Sequence, residues 1–133
     1  MPYFLAKTDP ESYSISDLER DKTTVWDGVR SPQALQAIRA MRPGDEVLIY
    51  HSQGESAIVG VARVISEPRP AAGDAKSWVV EVQFARRLEQ PVTLREIKEC
   101  HLFDDWSLVR QGRLSTMSVP ESAVAWLKNK HVL

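Results

Sequence analysis

A chain of 133 residues, 43% hydrophobic and 26% charged, can bury one sizeable core without a disulfide or metal staple, so one domain over residues 1–133 is expected. Its 17 basic and 18 acidic residues leave a formal net charge of −1. That balance excludes a long phosphate-coating surface and leaves only local contacts to nucleic acid, or contacts to a short or flipped target. The single cysteine, Cys100, excludes an internal disulfide, and no stretch approaches the roughly 20 apolar residues of a membrane helix.

The segment Met1 to Lys7 lacks the charged start and long apolar run of a signal peptide, so a reducing cytoplasm is the expected location. Tyr3 to Lys7 reads as a short strand ended by Asp9-Pro10. Ser14-Ile15-Ser16-Asp17 forms a capping box for a short helix through Leu18 to Arg20. Thr23 to Trp26 is β-prone, and Asp27-Gly28 signals a turn. Ser31-Pro32 is a helix start: serine can cap, and proline suits the first helical position. Ala34, Ala37, Ile38 and Met41 then recur at helical spacing until Pro43-Gly44-Asp45.

Val47 to Tyr50 reads as a strand, and Gln53-Gly54-Glu55 as a tight connection. Ala57 to Ile65, apolar on both faces apart from Arg63, should lie centrally in the sheet. Glu67 to Lys76, with two prolines and a glycine, reads as a surface loop. Trp78, Val80, Val82 and Phe84 alternate with Val79, Glu81 and Gln83, the pattern of a half-buried strand. Thr93-Leu94-Arg95-Glu96 is a second capping box before a short helix. Gln111-Gly112-Arg113 turns into a last strand, Leu114 to Val119, and Pro120-Glu121 opens a final helix that buries Val124, Leu127 and Trp126. Strands alternating with short helices indicate an α+β fold with a small curled sheet or open barrel.

Catalytic and metal signatures are sparse. His51, His101 and His131 lie far apart, and one cysteine offers no CxxC. Neither a Gly-rich phosphate loop nor a recognisable Ser-His-Asp motif occurs, so no cofactor and no enzymatic activity are expected. Cys100 reads as a small buried apolar residue rather than a nucleophile partnered by His101, since sequence neighbours rarely face each other.

Five segments occur in one order along the chain: Tyr3-Phe4-Leu5-Ala6-Lys7, Trp26-Asp27-Gly28-Val29-Arg30, Arg42-Pro43-Gly44-Asp45 running into Tyr50-His51-Ser52, Val59-Gly60-Val61-Ala62, and Arg113-Leu114-Ser115. Together they resemble the EVE domain family. The resemblance implies a PUA-like fold, a mixed and mostly antiparallel sheet curled into a pseudo-barrel with short helices around it. It also implies a non-catalytic nucleic-acid-binding module that reads a modified base in DNA or RNA. Residue by residue, it assigns the pocket to Trp26, Asp27, Gly28, Val29, Arg30 and Ser31, then Tyr50, His51 and Ser52, and further to Trp78, Arg113 and Ser115. The chain departs from the family pattern in two places. Ser31-Pro32 replaces asparagine and an aromatic residue, and the segment Glu67–Ser77 is shortened.

The chemistry of these residue types fits that role, beside plainer alternatives. The Trp26 indole offers a flat π-face for a base, or packs in the core. Arg30 supplies a planar donor fork beside a helix start, or pairs with Asp27 or Asp45. Asp27 can accept from a base amino group, or cap its own turn. Strand alternation puts Tyr50 and Ser52 on one face and His51 on the other, so all three share a pocket only if the strand is bulged. His51 is equally a structural hydrogen-bonding residue. Arg113 can touch phosphate and Ser115 a base edge, or both mark a solvated strand end. Two further functions remain open at this level: an enzyme with His51 as acid/base near Asp27, and an aromatic cage for a methylated peptide.

Overall fold

The computed structural model describes residues 2–27, 29, 31–54, 56–130 and 132–133. In chain order its elements are β1 (Tyr3–Thr8), α1 (Ile15–Asp21), β2 (Thr23–Trp26), α2 (Pro32–Ala40), β3 (Glu46–His51), β4 (Ala57–Val64), β5 (Arg69–Ala71), β6 (Asp74–Thr93), α3 (Leu94–Glu99), α4 (Ser107–Arg110), β7 (Thr116–Val119) and α5 (Glu121–Asn129). Among the described residues the strands form one sheet in the order β2-β6-β4-β3-β1-β7, with β5 paired to β6. Only β1 and β3 run parallel; the other pairs are antiparallel. The mixed, mostly antiparallel sheet and short surrounding helices match the α+β expectation, and the sheet is not closed.

Local chemistry sets the element ends. Ser14 Oγ accepts from the Asp17 N–H at 3.1 Å while Asp17 Oδ2 accepts from the Ser14 N–H at 2.9 Å, so the capping box of α1 is complete. Thr93 Oγ1 accepts from the Glu96 N–H, starting α3 with that half of the expected box. Ser31 holds the cap position of α2, but its side chain makes no capping bond; Pro32 in the first turn starts the helix instead. The central position of β4, between β3 and β6, follows from a strand buried on both faces. Leu5, Leu48, Ile49, Ile58, Ile38, Leu18 and Leu127 are fully buried and join sheet and helices in one apolar cluster.

Three expectations need correction. Glu67–Lys76 is not a loop: it holds β5 and the start of β6, turned at Gly73 with φ 78°. Pro70 is tolerated there because β5 is an edge strand that need not donate on its outer side. β6 continues past Phe84 to Thr93, and the last strand starts at Thr116 rather than Leu114. The short α4 carried no helix signal in the sequence. The expected connection at residues 53–55 is described only as far as Gly54, since Glu55 lies outside the described residues.

Candidate ligand pocket

A cavity of about 400 Å³ opens where the end of β1, the chain at Tyr13, β2 and the residue before β7 converge. Lys7 and Thr8 come from β1, Thr24, Val25 and Trp26 from β2, and Asp27, Val29 and Ser115 from the segments beyond. Because β2 and β7 are the two ends of the sheet, the cavity lies where those ends approach without pairing. Its size falls within the range of small-ligand sites.

Each lining group is fixed by its element. Thr24 and Trp26 are two residues apart on β2 and are both half-buried. Val25 between them is 40% exposed, a large apolar side chain left at the rim. The Lys7 N–H donates to the Ser115 carbonyl at 2.8 Å, drawing Ser115 to the end of β1. The Lys7 ammonium donates to the Gly112 carbonyl at 3.0 Å and lies 5.5 Å from the centre of the Tyr50 ring. Burial holds the Lys7 ammonium below the usual lysine pKa. Thr8 Oγ1 donates to the Tyr13 carbonyl at 2.7 Å, and the Tyr13 hydroxyl donates to Asp21 at 2.9 Å. Burial raises the pKa of that phenol. The cavity thus combines indole and phenol rings with a cationic donor, an exposed carboxylate at Asp27 and the hydroxyls of Thr24 and Ser115. Aromatic rings beside several convergent polar groups suit a flat heterocycle with hydrogen-bonding edges.

Of the residues expected at the site, Trp26, Asp27, Val29 and Ser115 come together here. Val29 is buried, and its carbonyl accepts from Ser77 Oγ at 3.0 Å, so it forms the wall rather than the rim. Gly28 and Arg30 lie outside the described residues. Ser31 and Arg113, both exposed, sit together in a separate depression with Gln111, Gly112 and Leu114.

Tyr50, His51, Ser52 and Trp78 do not line the cavity, for identifiable reasons. His51 Nε2 accepts from the Ile15 N–H at 3.0 Å, which satisfies the first turn of α1. Its pKa is lowered, mainly by burial and secondarily by Arg87. Ser52 gives its N–H to the Thr8 carbonyl at 3.0 Å. Tyr50 is only 3% exposed, and its ring supports the Lys7 ammonium. These three residues therefore brace α1 and β1. The pairing of β3 with β4 does slip between Ile49 and Tyr50, but this does not bring them into it. Trp78 is covered by the Arg39 guanidinium at 4.9 Å, which ties β6 to α2. Among the described residues no group of three or more His, Cys, Asp or Glu could hold a metal ion.

Sequence reasoning missed Lys7, Thr8, Tyr13, Thr24 and Val25. Alternation from Trp26 points to Thr24 on the same face. Tyr13 arrives through the fold with no local pattern to mark it, and Lys7 lay in the first family-like segment without being assigned to the pocket.

The sequence profile of the EVE domain matches residues 2–129. The chain is 34% identical to thymocyte nuclear protein 1 of Rattus norvegicus, over 74% of this chain and 56% of that protein. For the human counterpart the identity is 33% with the same coverage. The chain thus spans little more than half the length of these relatives. Among solved structures, a protein from Agrobacterium tumefaciens superposes with a TM-score of 0.91 at 30% identity, covering 100% of this chain and 94% of that one. The human THYN1 protein in complex with 5-methylcytosine-containing DNA superposes with a TM-score of 0.88 at 27% identity, covering 98% of this chain and 97% of that one.

Proposed function

Because the chain belongs to the EVE domain family, we propose that it is a one-domain, non-catalytic reader that holds a modified nucleobase in the cavity between β1, β2 and Ser115. Trp26 carries this reading: a half-buried indole on the wall of a cavity sized for a small heterocycle. Stacking one base on an aromatic side chain is worth roughly 1–3 kcal/mol. Asp27 accepts from an exocyclic amino group, as carboxylates do from cytosine N4. Arg113 meets a flanking phosphate from the neighbouring depression. The DNA bound to the human neighbour supports 5-methylcytosine as the first ligand to test.

The rival readings lose their residues. His51 uses its Nε2 to hold Ile15 and stands outside the cavity lining, which disfavours acid/base chemistry there. Lys7 sets a like charge against a methylated ammonium, which disfavours the aromatic cage. Among the described residues no helix is long and apolar enough to cross a membrane. The cytoplasm remains the proposed compartment, in keeping with the single Cys100.

The test is calorimetry with short DNA and RNA strands, single and duplex, each with cytosine, 5-methylcytosine or an abasic site at one position. A preference for a modified base over its unmodified counterpart is expected, with the DNA and RNA arms showing which carrier is read. Equal affinity for base-bearing and abasic strands would remove the reader function.

A further inference from the structure

We propose that Lys7 is the specificity donor of this pocket, giving a hydrogen bond from its ammonium to an acceptor oxygen of the bound nucleotide, with Tyr50 as the residue that positions it. The inference rests on the reader function above. An ammonium has three donor hydrogens and no acceptor. The Gly112 carbonyl takes one at 3.0 Å, and the Tyr50 ring face, 5.5 Å from Nζ, holds the charge without consuming a donor in a linear bond. Lys7 also lines the cavity, so its remaining donor capacity is available to an occupant.

Three observations separate Lys7 from an ordinary surface lysine. Its backbone lies in the parallel pairing of β1 with β3, where it stands opposite Tyr50. Tyr50 is itself buried, and its strand is paired on both sides, with Lys7 of β1 and with Ile58 of β4, so the ring is a fixed platform. The Gly112 carbonyl belongs to the turn that carries Arg113 and leads to Ser115, so one lysine links the pocket wall to that turn. A partly desolvated ammonium held on two sides loses little freedom when a third partner arrives, and the bond it forms is charge-assisted. The acceptor chemistry is a base carbonyl or a phosphate oxygen. Bases that present only donors at that point are disfavoured, because they leave the ammonium unpaired.

The experiment is a cycle of two changes, read by calorimetry. One is Lys7→Met. The other replaces the phosphates flanking a single 5-methylcytosine in a short DNA strand with uncharged methylphosphonates. Lys7→Met should weaken binding of the unaltered strand by about tenfold or more, as expected for a charge-assisted bond. If the same loss persists on the methylphosphonate strand, the acceptor is the base carbonyl; if it vanishes there, the acceptor is phosphate. Either outcome supports the assignment. Lys7→Arg should recover part of the affinity, Tyr50→Phe should keep it, and Tyr50→Leu should lose it. A second measurement avoids substitution: the ε-methylene resonance of Lys7 in the unaltered protein should shift on adding the strand. Folded Lys7→Met that binds like the parent, while Trp26→Ala loses binding, would overturn the role of Lys7 and leave the reader standing. An unmoved Lys7 resonance at saturation would overturn it equally, whatever the variants do. Failure of the parent protein to bind any base-bearing strand would overturn both.

Discussion

Trp26 ends β2 with its indole half-buried on the cavity wall, where the proposed reader function gives it a recognition role beside its packing role. Trp26→Ala should weaken binding by about tenfold or more if it carries a stacked base. The control is circular dichroism, and a folded variant with parental affinity would make Trp26 purely structural. His51 belongs to a different account. Its Nε2 must be unprotonated to accept from Ile15, and its folded pKa lies below the ordinary value near 6.5. Between the two values the unfolded chain binds the proton more readily. The contribution of His51 to stability is therefore complete above about pH 6.5 and is lost as the pH falls toward the folded pKa. Melting temperatures taken from about pH 7.5 down to 5 should fall less for His51→Gln, which keeps an acceptor but does not titrate. Parallel curves for the two proteins would show that His51 does not report on folding. The sequence identified both residues as special. Only the tertiary structure could show that one lines a cavity and the other faces a helix.

At the scale of elements, α1 closes on β4 through a close approach at Gly60. A Cβ there would stand 2.5 Å from Ile15 Cδ1 and 3.0 Å from the Arg86 carbonyl. The side-chain end can move, but the backbone oxygen of a paired strand cannot move far, and Ile15 is buried. Gly60→Ala should thus cost about 1–3 kcal/mol as overpacking. Denaturant unfolding checks this, and an unchanged midpoint would mean that α1 shifts freely. Most elements were legible in the sequence because caps and periodicity are local: Ser14, Thr93 and the alternation after Trp78 all act within one element. β6 was cut short because Arg86, Arg87, Gln90 and Pro91 break its apolar pattern. Pairing absorbs the irregularity, since β4 advances from Gly60 to Ile58 while β6 runs from Arg87 to Val92. Arg87 is also consumed by Ser16 and Glu19 of α1, a use that only the tertiary structure reveals. The prolines of residues 67–76 signalled a loop, yet an edge strand accommodates them.

The whole molecule places its pocket between the unpaired ends of an open sheet and carries a net charge of only −1. Local motifs announced half of that pocket. The rest comes from Thr24 and Val25 beside Trp26 on β2, and from β1 and Tyr13, which are distant in sequence from Trp26 and meet it only through the fold. Under the proposed reader function, this geometry constrains how nucleic acid can be bound. With Lys7 in the cavity, Arg113 beside it and Arg30 expected from the sequence, about three cations can meet phosphate, so log affinity should fall with log salt at a slope of about −2 to −3. A slope near −8 would mean a long phosphate-binding surface that the charge balance argues against. A base can fill a cavity of about 400 Å³ only after leaving its stack, which costs a few kcal/mol in an intact duplex. The same modified sequence should accordingly bind best as a single strand, less well in a mismatched duplex, and least in a matched one. Methylation itself adds little, about 0.8 kcal/mol for one buried methyl, or roughly fourfold. Strand state should therefore change affinity more than the modification does. Titrations of the three forms, with and without the methyl group, decide the point. Equal affinity for matched duplex and single strand would mean that the base is read without being extruded, and that the cavity beside Trp26 is not where it goes.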